Sequence, residues 1–199
     1  PYTTLFRSTS PELWAEIEAS CEKLQADFTT DTIKSRSSIA ATRAAYKACG
    51  KDPSRYRPAS EQLSRRVLQG KGLYSVDTLV DLGNLVSIFS GYPTGLLDAD
   101  KIVGESVELG IGRADEPYEG IGRGTLNIEG LPVYRDAVGA IASPTSDSTR
   151  TMLSPTTSRL LFIINGYDGD EKLLQESIDL AQDLLQRYAH AGEARIVNF

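Results

Sequence analysis

A chain of 199 residues with 40% hydrophobic and 24% charged residues is long enough for one domain with a sizeable core. No apolar run approaches the roughly 18–20 residues that cross a bilayer, and no basic start followed by an apolar stretch marks a leader, so a cytoplasmic protein without membrane contact is expected. The net charge of −6 excludes a protein that grips nucleic acid over its whole surface. It leaves room for a local basic patch at Arg55, Arg57, Arg65, Arg66 and Lys71.

Residues 1–8, PYTTLFRS, translate the codons CCC TAC ACG ACG CTC TTC CGA TCT of a widely used sequencing adapter. They are expected to be an artefact joined to a single domain at residues 9–199. Ser10-Pro11-Glu12 then predicts a capped helix start, followed by Leu13, Ile17, Cys21 and Leu24 at helical spacing. A second helix is expected over Asp31–Cys49, with Ile33, Ala40, Ala44 and Ala48 as a small-residue face and Gly50 and Pro53 as its stop. Ser60 is the expected N-cap of a third helix, Glu61–Gln69, and Asp77 that of a fourth, reaching Ser90.

From residue 101 to 138 the texture changes to strand. Val107, Leu109 and Ile111 alternate with polar residues, and Leu126 with Ile128, then Val133, continue the pattern. The phrase GIGR occurs at Gly110–Arg113 and again at Gly120–Arg123. A dinucleotide-binding loop needs a helix after its glycines. Here strand-like residues follow, so a hairpin flanking Ala114–Glu119 is the better reading. SRLLFIIN, residues 158–165, is an apolar run of buried-strand length. Glu171–Ala191 is the clearest helix, striped by Leu174, Ile178, Ala181, Leu185 and Tyr188 and ended by Gly192; Ala194–Phe199 reads as a last strand. Helices, then strands, then strand and helix, with no linker, make one α+β domain. The polar stretch 143–157 is its most loop-like interior segment, and a loop of that length in a compact domain is often functional.

The single histidine, His190, at the end of the last helix removes Ser-His-Asp and Cys-His hydrolases from consideration. With two cysteines, Cys21 and Cys49, read as free thiols, no zinc site is indicated. No metal and no cofactor are expected. Asp98 and Asp100 could hold Mg²⁺, but a helix cap explains them equally well.

The candidate binding residues are Arg57, Glu61, Arg66, Asn84, Asp98, Asp147 and Arg150. Glu61 and Arg65 have the spacing of a surface helix pair, whereas Arg66 turned inward would clamp a carboxylate or phosphate. Asn84 lies between Leu82 and Val86, where a buried amide must organise backbone or a ligand. Asp147 and Arg150 either pair with each other or line a pocket. Convergence of Arg57, Arg65, Arg66 and Arg150 with Asn84 on one cleft is the expected mark of a carboxylate or aminoacyl site.

The segment Leu79–Ile102 resembles the B3/B4 domain of the phenylalanyl-tRNA synthetase β subunit: it carries Val80-Asp81, Asn84, the turn Gly91-Tyr92-Pro93, and Asp98 before Lys101-Ile102. RPASEQLSRR before it and DAVGAIASPTSDSTRT after it are similar to free-standing bacterial proteins built from this domain. The resemblance covers residues 10–199. It implies a β-sandwich-like core with flanking helices, a fold shared with lysidine synthetase, and a further strand-bearing segment ahead of SPELW. In the synthetase the domain is an editing module that hydrolyses tyrosine wrongly attached to the phenylalanine tRNA. The resemblance thus implies an RNA-associated protein that binds aminoacyl-tRNA or an aminoacyl ester, with or without hydrolysis. The alternative is a binding module for an amino acid or other carboxylate, with Arg66 or Arg150 on the carboxylate. Two positions depart from the synthetase: its histidine after the Gly-x-Pro turn is Gly95 here, and its tyrosine-recognising glutamate falls near Thr145, where the first acid is Asp147.

Overall fold

The computed structural model of the chain describes residues 9–199; residues 1–8, set aside above as adapter-derived, lie outside them. Helix α1 spans Pro11–Asp27, its first turn closed by Ser10 Oγ accepting the Leu13 N–H at 3.2 Å. The helix expected over residues 31–49 is broken. A 3₁₀ turn at Ile33–Ser35 is followed by Arg36 in an extended conformation, and α2 runs over Ser37–Ala48. The break has a tertiary cause: leaving the helical path lets Arg36 donate to the carbonyls of Ile88 (2.9 Å) and Phe89, and lets Ser38 Oγ donate to Ser90 O at 2.8 Å. These bonds satisfy the last carbonyls of another helix. The expected alanine face is also corrected. Ser38, Ile39, Thr42 and Tyr46 are the buried side of α2, and Ala44 and Ala48 are exposed.

Helix α3, Ala59–Leu68, starts earlier than expected, with Pro58 as its cap; Ser60 is fully buried inside the first turn. Its leading N–H, on Ala59, is taken by Pro144 O at 2.8 Å, and no side chain caps the helix. Helix α4, Thr78–Ser90, begins at Asp77 as expected, the Asp77 carboxylate accepting the Val80 N–H at 3.0 Å. Buried Asp81 fastens the preceding segment to it by accepting Ser75 Oγ (2.6 Å), the Val76 N–H (3.0 Å) and Thr9 Oγ1.

The Gly-x-Pro turn leads into a strand that the sequence did not announce. Strand β1, Thr94–Asp98, pairs antiparallel with β7, Leu160–Ile164, from Thr94↔Ile164 to Asp98↔Leu160. A three-stranded antiparallel sheet has the order β2 (Glu108–Ile111), β5 (Pro132–Arg135), β6 (Ala140–Ala142). A small hairpin joins β3, Glu119–Gly120, to β4, Gly124–Thr125. The two GIGR phrases are therefore not partners: the first belongs to β2 and its exit, the second forms the tip of the hairpin. Gly112 in the first phrase bonds backbone to backbone with Leu131 O (2.8 Å) and Gly130 N (2.9 Å), and a Cβ there would lie 1.8 Å from Ile128 O. Close chain approach, not phosphate binding, uses that glycine. Helix α5, Glu171–Ala189, ends at His190 in a left-handed conformation (φ 50°) instead of at Gly192, and Ala194–Phe199 form no strand.

The layers explain why SRLLFIIN is apolar throughout. Leu160, Phe162 and Ile164 pack with Leu96 on Leu82, Val86 and Leu184 of the helices, together with Leu13 and Ile17 of α1. Ile163 and Leu161 face the other way, with Leu97, onto Tyr134, Ile141 and Ala142 of the three-stranded sheet. The β1–β7 pair is thus covered by helices on one side and by a second sheet on the other. The expected α+β single domain is what the structure has, with small antiparallel sheets. Among the described residues no helix is long and apolar enough to cross a membrane.

Candidate functional site

The polar stretch from Ser143 to Ser148 is anchored from several sides. Pro144 O receives the first amide of α3, and Thr145 Oγ1 shares a buried hydrogen bond of 2.9 Å with Tyr46 OH of α2. Tyr118 OH donates to Ser146 O at 2.6 Å. Asp147 O accepts the Ile121 N–H of the β3–β4 hairpin at 2.9 Å, and Ser148 bridges to Gly120. Burial raises the hydroxyls of Tyr46 and Tyr118 well above the ordinary tyrosine range; for Tyr118 the charge of Asp147 adds to it. Both phenols therefore remain neutral donors at any physiological pH.

One side chain of this loop is left over. Asp147 Oδ2 accepts the Leu96 N–H of β1 at 3.0 Å, and Oδ1 has no hydrogen-bond partner among the described residues. No cation among the described residues pairs with it. The residue keeps some exposure, yet the carboxyl lies deep in the fold; desolvation, opposed only by the Leu96 amide, pushes it up to about 7. Gly95 makes room for it: a Cβ at Gly95 would stand 3.0 Å from Asp147 Oδ1. One of the two positions that depart from the resembled pattern, Gly95, thus lies against Asp147, two residues beyond the other, Thr145. A carboxyl that titrates near neutrality can both accept and donate a proton, as general acid–base chemistry requires.

The other expected site residues are engaged elsewhere. Asp98 caps a 3₁₀ turn, Oδ1 accepting the Asp100 N–H (3.1 Å) and Oδ2 accepting Thr157 Oγ1 (2.8 Å). Asp100 pairs with Arg159 at 3.2 Å on the surface, so the two acids do not face one ion. Among the described residues no three of His, Cys, Asp and Glu stand together as a metal site. Arg150 does not pair with Asp147. Its guanidinium grips Asp136 through two bonds of 2.8 Å, and Asp136 also accepts the N–H groups of Val103, Val138 and Gly139. The Arg150 guanidinium holds the Asp136 carboxyl well below the usual carboxylate range. Asn84 is half-buried on α4, whose Gly83 carbonyl receives Thr94 Oγ1 of β1 at 3.2 Å.

Glu61 is not a surface partner of Arg65 alone. It is fully buried, with Arg43 at 2.8 Å, Arg65 at 2.9 Å and Arg57 at 3.6 Å. Arg66 lies over the Tyr74 ring, 4.9 Å from its centroid. Of the arginines expected to converge, Arg57 and Arg65 both lie against Glu61, while Arg150 is held by Asp136 and Arg66 lies over the Tyr74 ring. Sequence reasoning missed Asp136, Tyr46 and Tyr118. Asp136 carried a usable signal, an acid just ahead of Gly139 that forms a local turn with its own backbone. Tyr46 sits four residues after Thr42 on the face that is buried; Tyr118 gave no signal.

The model of the B3/4 domain family matches residues 41–192, from within α2 to beyond α5. The phenylalanine–tRNA ligase beta subunit of Mycoplasma genitalium is 38% identical over 89 residues, which is 44% of this chain and 11% of that protein. The match thus corresponds to a small part of that relative. With its mixed fold and a family match that takes in Gly95, the 143–148 loop and Asp147, the chain belongs to the B3/4 domain family.

Proposed function

We propose that the chain binds the aminoacyl end of an aminoacyl-tRNA, or a related aminoacyl ester, at Asp147 and hydrolyses the ester. The observation that carries this reading is the Asp147 carboxyl, desolvated, without a cation among the described residues, and set against Gly95. An aminoacyl ester brings an ammonium group and a neutral carbonyl to such a carboxyl. Hydrolysis adds water to the carbonyl carbon and releases the ribose hydroxyl with its proton, so the site needs no nucleophilic side chain, only a positioned water and ester. The relative of similar sequence, a phenylalanine–tRNA ligase beta subunit, supports tRNA as the carrier.

A binding module for a free amino acid is the weaker reading. Its carboxylate would need a cation, and the two arginines proposed for that task are held by Asp136 and by the Tyr74 ring. A free carboxylate beside unpaired Asp147 adds repulsion in a low-dielectric place. The test is deacylation of a panel of mischarged tRNAs by the wild type and by Asp147→Asn, with thermal unfolding to establish that the variant folds. Turnover of one member, lost by a factor of about 100 in the variant, supports the proposal. No turnover of any member, or equal turnover by the variant, overturns it.

A further inference from the structure

An acidic protein that acts on tRNA needs a local place to hold phosphate, and the arginines around Glu61 supply one. Three guanidinium groups surround this one fully buried carboxylate, and they are not equivalent. Arg43 is hydrogen-bonded to Glu61, to Pro53 O at 3.3 Å and to Ser54 Oγ at 3.1 Å. Arg65 is hydrogen-bonded to Glu61 and to Thr30 O at 2.9 Å. Arg57 stands 3.6 Å from Glu61, beyond bonding distance, and its guanidinium makes no hydrogen bond among the described residues. Its Nε is closed off from solvent and unpartnered, while the side chain as a whole is 38% exposed. Close by in the chain, the Oγ of fully buried Ser60, in the first turn of α3, is likewise unpartnered.

A second exposed arginine shares this face. Gln62 donates through Nε2 to Arg57 O at 2.7 Å and accepts from Arg123 Nη2 at the hairpin tip. Arg55 adds a third exposed guanidinium, lying over the Tyr56 ring at 5.6 Å. The patch borders the Asp147 loop, because the residue that follows Pro58 donates to Pro144 O. We infer that Arg57, Arg123 and Arg55 form a phosphate-binding strip that holds the RNA backbone next to the aminoacyl end bound at Asp147. The fork of an arginine with free donors fits the paired oxygens of a phosphodiester. Glu61 serves as the internal counter-charge that holds Arg57 in place without neutralising it, since three arginines share that one carboxylate. The inference rests on the proposed function for its orientation but has its own readout.

The experiment is the anisotropy of a fluorescently labelled, uncharged tRNA titrated with full-length protein over a range of salt concentrations. Wild type is compared with Arg57→Ala/Arg123→Ala, with Arg57→Lys, and with Arg159→Ala as an exposed arginine paired elsewhere. Each lost phosphate contact lowers the slope of log K against log salt by about 1. The double variant is expected to bind about tenfold more weakly with a shallower slope, Arg57→Lys to keep most of the slope, and Arg159→Ala to match wild type. A double variant with wild-type affinity and slope, or an equal loss in Arg159→Ala, overturns the inference. Hydrolysis of an aminoacyl ester of a single nucleoside separates the two claims. The double variant should retain it while losing tRNA binding. Loss of tRNA binding in the double variant with no ester hydrolysis by the wild type would sink the function and leave the strip standing.

Discussion

Two kinds of buried carboxylate stand side by side in this fold. Glu61 and Asp136 are each matched to arginine, Glu61 by three and Asp136 by the two-pronged grip of Arg150. Asp147 keeps more exposure, and among the described residues it has a backbone amide and no cation. Buried Asp81 is held a third way, by three hydrogen-bond donors and no cation among the described residues; a buried charge with neither kind of partner costs several kcal/mol. Asp147, with no cation among the described residues, is where the proposed chemistry is placed.

The comparison is tested hardest at Asp136. Asp136→Ala strands Arg150 and three backbone N–H groups, and is expected to cost about 3–5 kcal/mol in urea unfolding at pH 7. Because its folded carboxyl is held below the ordinary range, its stabilisation is present above about pH 4 and is lost as the pH falls further. Asp147 has the opposite sign. Its folded carboxyl is raised to about 7, so the folded state binds a proton that the unfolded chain has already released, and stability falls as pH rises from about 4 to about 7. Asp147→Asn removes that fall. Above pH 7 the variant is expected to be more stable than wild type by about 2–4 kcal/mol, and at pH 4 about equal to it. Parallel pH–stability curves for the two proteins would erase the distinction drawn here.

Gly95→Ala probes the same contact from the other strand. The new Cβ meets Asp147 Oδ1 at 3.0 Å, and displacing the carboxyl is expected to cost about 1–3 kcal/mol and to lower ester turnover together with stability. In the double variant with Asp147→Ala the stability cost should disappear. The smallest effects belong to features that involve neither class of acid. Ser10→Ala removes a helix cap worth about 1 kcal/mol, and Arg159→Ala removes an exposed pair worth less than about 1 kcal/mol, both read from thermal melting.

Much of the helical framework was legible in the chain. Ser10, Asp77 and the stripe of α5 are local signals whose cause lies within a turn or two of sequence, and the structure keeps them. The errors share one origin. Arg36 breaks the expected second helix in order to cap α4, Pro144 O takes the first amide of α3 ahead of Ser60, and β1 exists because β7 lies alongside it. Each is a bond between residues far apart in sequence. The site divides in the same way: Asp147 and Gly95 were both noticed, as an acid and as a missing histidine, but nothing local says that they touch.

Composition, caps and periodicity by themselves determined an α+β domain with its helices nearly in place, because those signals act over a few residues. The motif string from Val80 to Asp98, by its resemblance, pointed to the family. Only the tertiary structure decided which acids meet a cation and which do not. Pairing is a property of groups brought together from α2, α3, β1, the β5–β6 turn and the 143–150 segment, and no spacing along the chain encodes it.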